Sequence, residues 1–443
     1  MPRANKKRVL LTGTALALSM IAGNAFGGGF ALREQSAYYQ GTSFAGNGTT
    51  GESISSIFWN PATLTGAGHG LTTESHSSFI APQSDVNGDF TPQGLVNALT
   101  GGFGASSTGS GDIASNAWIP STYVGYGLND NWYFGLAVNT PFGLATKPGT
   151  NWAGQYYSRS SEVFSVNATP SVAYKFNDMI SVALGLQAEY LQVRLKSAYP
   201  FRASVTSQVP SSEVKGGSVG FGATAGFTVK PIEGTEIGVG FRSAVFHELE
   251  GHFINPAAPG VGVANASRTG IEAKLITPEM VTLSAKQRIT EKFRALGTVE
   301  WTNWSRLGTV HLKATDGTTT NPTGLPDLKF NYDDGWFFSV GGEYDWNDQL
   351  TLRAGVGYEL SPIDEDIRST RLPDNDRLWL SAGASWKPTE HLAFDVGFSH
   401  LIPADTKIDI SPGHQDYNAN IGTYVADVDS QVNIFSASLR YKF

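Results

Sequence analysis

Few residues of this 443-residue chain stand in patterns that do chemistry. His247-Glu248-Leu249-Glu250-Gly251-His252 holds zinc-ligand residue types, but its histidines are five apart. A helical zinc pair needs a spacing of four, and on a strand a spacing of five sends the two rings to opposite faces. The segment therefore reads as rim near a loop. Ser399 and His400 are a nucleophile type beside a base type, yet neighbours on a strand face opposite ways. The chain has no GxxxxGK[ST] phosphate loop and no cysteine for a thiolate ligand or disulfide. No catalytic residue, metal or cofactor is expected. What is left is ligand contact: Arg194 and Lys196, alternating with Leu195, either pair with a ligand carboxylate or form a solvated rim.

The elements that would carry such contacts are strands. In Gln431–Phe443, Phe435, Ala437, Leu439, Tyr441 and Phe443 fall on one face while Ser436, Ser438, Arg440 and Lys442 fall on the other. A period-two strand ending on an aromatic residue is how an outer-membrane barrel closes, and Tyr441 and Phe443 read as the signal met by the barrel-insertion machinery. The pattern recurs. Trp132, Phe134, Leu136 and Val138 oppose Tyr133, Gly135, Ala137 and Asn139, and Leu350, Leu352, Ala354 and Val356 oppose Thr351, Arg353 and Gly355. A cation facing lipid at the midplane costs roughly 2–4 kcal/mol, so Arg242, Arg353, Asp395 and Arg440 are expected inside, and Phe134, Leu352, Phe394 and Phe435 outside. Tyr133 and Trp379 are inward rings that could line a pocket. Along the fifth strand the outward phase reads as switched between Ala188 and Leu191, either a bulge or the strand leaving the membrane.

Tight turns at Asn129-Asp130-Asn131, Asn177-Asp178, Asn347-Asp348 and Lys387-Pro388-Thr389-Glu390 alternate with long Gly/Ser/Pro/Asp-rich connections, the longest near 84–115. That asymmetry gives about fourteen strands, an all-β antiparallel transmembrane barrel over 71–443. Residues 28–70, Gly/Ser/Thr-rich and without sustained alternation, are of a size to plug its lumen as a hatch.

Arg3, Lys6, Lys7 and Arg8 precede an apolar run from Val9 to Ala22, which makes 1–27 a cleaved signal peptide; small residues offer cleavage after Ala25 or after Gly27, and the second, the favoured one, leaves Gly28 as the mature start. Its removal takes four of the 31 basic residues and none of the 39 acidic ones, so an acidic chain remains and nucleic acid is not an expected partner. Outside this segment no apolar run is long enough for a membrane helix.

Gly28-Gly29-Phe30-Ala31-Leu32, Trp59-Asn60-Pro61-Ala62, Thr140-Pro141-Phe142-Gly143-Leu144, Asn151-Trp152-Ala153-Gly154, Thr277-Pro278-Glu279-Met280 and Leu372-Pro373-Asp374-Asn375-Asp376-Arg377 run in order across the mature chain. Together they resemble the FadL family. The resemblance implies a monomeric fourteen-stranded barrel in the Gram-negative outer membrane, among lipid and lipopolysaccharide, that takes up long-chain fatty acids or other hydrophobic compounds passively. It also implies a hatch motif at Asn60, Pro61 and Ala62, a hatch N-terminus with Phe30 and Leu32 near the ligand, and a lateral opening in the third strand at Asn139, Thr140, Pro141, Phe142 and Gly143. Pro141 supports the last point independently, because proline cannot donate to a ladder. Around Tyr332 to Asp334 the chain is acidic where the family's carboxylate-binding lysine is wanted, so aromatic hydrocarbons and alkanes stay open as ligands. A general polar porin and a barrel enzyme are the competing classes; the first needs no plug, and the second needs a nucleophile and base in compatible phase.

Overall fold

The structure, a computed structural model, describes residues 28–100, 108–199, 209–256, 265–315 and 327–443, and the expected signal peptide lies outside them. Fourteen antiparallel strands close a barrel. They are β1 (Gly70–Pro92), β2 (Ala117–Gly127), β3 in two pieces (Trp132–Asn139 and Gly143–Thr146), β4 (Ser160–Lys175), β5 (Ile180–Ala198) and β6 (Ser211–Val229). They continue with β7 (Thr235–Arg242 and Val245–Asn255), β8 (Ser267–Thr277 and Met280–Arg288), β9 (Phe293–Thr302), β10 (Gly335–Asp345), β11 (Leu350–Leu360), β12 (Arg377–Trp386), β13 (Leu392–Pro403) and β14 (Gly422–Lys442). Each pairs with its neighbours in sequence, and β1 also pairs with β14 from Thr72↔Lys442 to Pro92↔Gly422, which closes the ring.

Membrane solvation fixes which face is which. Phe134, Leu352 and Phe435 are 45%, 39% and 53% exposed on the outside, and Phe394 is partly exposed. Arg242, Arg353, Asp395 and Arg440 are buried inside, where Arg353 Nε meets Glu343 at 2.8 Å and Arg440 Nε meets Asp395 at 2.8 Å. The apolar belt faces lipid and every one of these charges is paired or hydrogen-bonded within, the order that desolvation demands. No described helix is long and apolar enough to cross a membrane.

Residues 28–69 form a short helix α1 (Ala37–Gln40), 3-10 turns at Ile54–Phe58 and Pro61–Ala67, and irregular backbone. Their hydrogen bonds reach His76 on β1, Tyr123 on β2, Ser181 on β5, Phe227 on β6, Glu236 on β7, Ser284 on β8, Glu343 on β10 and Ser436 on β14. Wall glycines permit the approach. A Cβ on Gly238 would lie 1.9 Å from Gly48 O, and one on Gly240 1.8 Å from Trp59 O.

Two expectations change. β5 keeps one register against β6 from Ile180↔Val229 to Ala198↔Ser211, with no bulge near Ala188. The phase reads as switched because the inward residues themselves become apolar at Leu191, Val193 and Leu195. The first long connection is also shorter than it reads, since β1 runs on to Pro92 in register with β14.

Candidate functional site

Those inward apolar residues line a cavity of about 490 Å³, together with Val214 of β6, Leu249 of β7, Ile271 and Leu275 of β8, Phe330 and Tyr332 before β10, and Phe30 of the N-terminal segment. The volume is that of a small-molecule site. Arg371, in the connection between β11 and β12, joins the lining. Its guanidinium donates to Ser197 Oγ at 2.7 Å and to Lys196 O at 3.4 Å, and no described carboxylate lies within ion-pair distance of it. Burial lowers its pKa, opposed by the charge of Asp416, another lining residue. Arginine keeps its proton even so. The result is an apolar cavity with a cation that is hydrogen-bonded but not neutralised, an arrangement that can hold a carboxylate whose tail is hydrocarbon.

Arg194 and Lys196 are not brought there. Arg194 pairs with Glu162 at 3.2 Å and Glu213 at 3.0 Å, Lys196 pairs with Glu213 at 3.0 Å, and both sit on the strand phase opposite to Leu191, Val193 and Leu195. They form the rim. Tyr133 and Trp379 also lie away from the cavity lining; Trp379 is fully buried, edge-on to Phe44 and donating to Glu359. His247 is not at a rim but 1% exposed inside, between Glu189 at 3.2 Å and Ser218 at 3.1 Å. His252, on the opposite face as its spacing requires, accepts from Arg268.

β3 breaks where Pro141 stands. Its pairing with β4 stops at Asn139↔Asn167 and resumes at Gly143↔Phe164, leaving three residues opposite two. On the other side, pairing with β2 ends at Thr122↔Val138, so Ala117 to Ser121 face no strand of the wall across that seam. Pro120 lies within that unpaired stretch. The N-terminal segment takes the missing place. Leu32 N donates to Pro141 O at 2.8 Å, Gly143 N donates to Phe30 O at 2.9 Å, and Ala31 bridges Phe142. The Gln35 amide donates to Thr140 O at 2.7 Å and accepts from Ser121 Oγ at 2.9 Å, while Tyr123 Oη donates to Gln35 O at 2.8 Å.

Aromatic rings join cavity to break. Phe330 packs on Tyr332 with centroids 5.4 Å apart, Tyr332 on Trp304 at 6.2 Å, Trp304 on Phe30 at 4.7 Å, and Phe30 on Phe142 at 5.8 Å. Phe30, Leu32 and Asn139 to Gly143 are thus one constellation. Asn60, Pro61 and Ala62 are not part of it. Asn60 accepts from Ala62 N at 3.0 Å as the cap of the Pro61–Ala67 turn, and donates to Gly48 O at 2.7 Å and Phe227 O at 3.0 Å, which docks it on β6. Sequence reasoning missed Gln35, Arg371 and Pro120. A proline inside an alternating segment was a readable signal for the third; lone polar residues in irregular chain give none.

A closed fourteen-stranded barrel with a lipid-facing belt and an internal apolar cavity is an outer-membrane transport barrel of Gram-negative type. The chain belongs to the outer membrane protein transport protein family (OMPP1/FadL/TodX), whose profile matches residues 18–443. It is 26% identical to the long-chain fatty acid transport protein of Escherichia coli O6:H1, over 99% of this chain and 100% of that one. In fold it is similar to a Pseudomonas aeruginosa FadL homologue, with a TM-score of 0.81 at 21% identity over 94% of this chain and 99% of that one. It is also similar to the Ralstonia pickettii toluene transporter TbuX, at 0.66 and 15% over 93% and 99%.

Proposed function

We propose that this barrel takes up long-chain fatty acids passively, holding the carboxylate at Arg371 and releasing the ligand sideways through the break in β3, with residues 28–69 acting as the hatch. The observation that carries this reading is that Leu32, Phe30 and Gln35 of the N-terminal segment hydrogen-bond across the break, and that Phe30 also lines the cavity. A ligand that fills the cavity presses on the same residue that completes the wall. Displacing Phe30 removes ladder bonds at Pro141 and Gly143, and opens a path along the rings to lipid.

Energetics favour the lateral direction. A chain of about fifteen methylenes prefers hydrocarbon to water by on the order of 12 kcal/mol, at ~0.8 kcal/mol per CH₂, so exit into the bilayer needs no nucleotide. Passage down a wet lumen would face that preference in full. Carboxylate selectivity comes from Arg371, since a hydrogen bond to a charged group contributes ~1.5–3 kcal/mol.

The test uses the absence of native cysteine. Ala31 and Phe142 bridge in antiparallel register, and directly opposite positions suit a disulfide. Ala31→Cys with Phe142→Cys, oxidised in cells of matched surface expression, is expected to stop uptake of a labelled long-chain fatty acid, and a reductant should restore it. Full uptake with the disulfide verified in place would reject hatch displacement at this seam.

A further inference from the structure

Gly28 and Gly29 lie where buried carboxylates converge. Gly28 N is 2.9 Å from Glu359 Oε1, and Gly29 N is 3.1 Å from Asp374 Oδ2. Glu34, Glu300, Glu359 and Asp374 are each at most 3% exposed. Two guanidiniums make ion pairs with this group. Arg33 reaches Glu300 at 2.5 Å and Glu359 at 3.3 Å, and Arg377 reaches Glu359 at 3.4 Å and pairs with Asp374. Arg368 is near but bonded to carbonyl oxygens of Ile363, Asp374 and Lys407. Arg368 also acts on Asp374 through its charge, and burial above all, with the nearby Glu359 charge adding to it, pushes Asp374 and Glu34 upward, Glu34 to about 7.

Gly28 and Gly29 pack closely on their neighbours. A Cβ on Gly28 would sit 2.8 Å from Glu359 Oε1, and one on Gly29, at φ 63°, would meet the Trp304 ring at 2.8 Å. The preceding residues carry the matching signal: Ala25 and Gly27 are small at the two positions that a signal peptidase reads.

We infer that a signal peptidase cleaves between Gly27 and Gly28, and that the ammonium so created is bound in a cation site formed by Glu359 and Asp374. Hydrolysis of that bond consumes one water, leaves a carboxylate on Gly27, and leaves an α-amine on Gly28 that is protonated near neutral pH. A peptide N–H there brings a dipole; the ammonium brings a full charge and more donors. Processing thereby fastens the hatch. Gly28 holds the acids, Phe30 meets the cavity and Leu32 completes β3 within five consecutive residues. This step does not depend on which ligand is carried.

The experiment uses the folded protein purified from outer membranes. Mass spectrometry of the intact chain should give Gly28 as its first residue. Reductive methylation with limiting reagent, followed by digestion, should modify the α-amine at least tenfold more slowly in the folded barrel than in the heat-unfolded chain. Its pH dependence should give a pKa above the ordinary α-amine range, brought down by Glu359→Gln. A different first residue, equal rates in the two states, or an unraised pKa would overturn the inference. If Glu359→Gln does not fold, Asp374→Asn replaces it, and the wild-type measurements decide without either.

Discussion

Gln35 meets Thr140 O, Leu32 O, Ser121 Oγ and Tyr123 Oη through one side chain and one carbonyl, and none of its surface reaches solvent. Gln35→Leu keeps the volume and strands the groups it satisfies, at ~1–3 kcal/mol for each buried polar group left unpaired. The expected outcome is a lower temperature of heat-induced gel shift together with raised permeability to a hydrophobic antibiotic; an unchanged barrel would show that the amide is no closure. Arg371→Leu is expected to lower fatty-acid uptake about tenfold, the equivalent of ~1.4 kcal/mol, and to leave uptake of an alkane of equal length unchanged. Parallel losses of both would put the effect in folding. Neither residue was legible in the sequence, because an isolated Gln or Arg in irregular backbone belongs to no period. Arg194 and Lys196 drew notice for the opposite reason: their alternation with Leu195 is genuine, but where the interior turns apolar, alternation alone does not tell inside from outside.

At the scale of the element, the period-two strands were legible because lipid outside and polar contacts inside impose opposite chemistry on successive residues. Pro141 was legible because a missing N–H has one local meaning. What fills the break was not, since the partner lies about a hundred residues earlier in a segment without period. The glycines of β7 mark how tightly the N-terminal segment and the wall are fitted. Gly240→Ala drives a methyl into Trp59 O, which is backbone and cannot swing aside, whereas Gly143→Val meets only the tip of Leu32 at 2.7 Å. The first substitution should cost ~1–3 kcal/mol and loosen the hatch, seen as new conductance in planar bilayers, and the second should be the milder. The reverse order would mean that the hatch is held mainly at β3.

For the molecule as a whole, conductance separates the two transport readings. A barrel whose interior is spanned by hydrogen bonds from residues 28–69 should be nearly silent in a planar bilayer, while a polar porin passes a steady current. Large stable openings in the unaltered protein would favour the porin. The closing seam between β1 and β14 bears on how the barrel comes to exist. Its two strands are the ends of the wall in sequence, so the longest run of pairing forms between the most distant residues, and the contact order is correspondingly high. Until β14 has reached β1, the wall is a curved sheet with two bare edges, each ready to pair with a stranger. The seam is therefore a check on assembly: both edges are buried only when β14 lies against β1, and a chain broken before β14 stays exposed to proteolysis and aggregation.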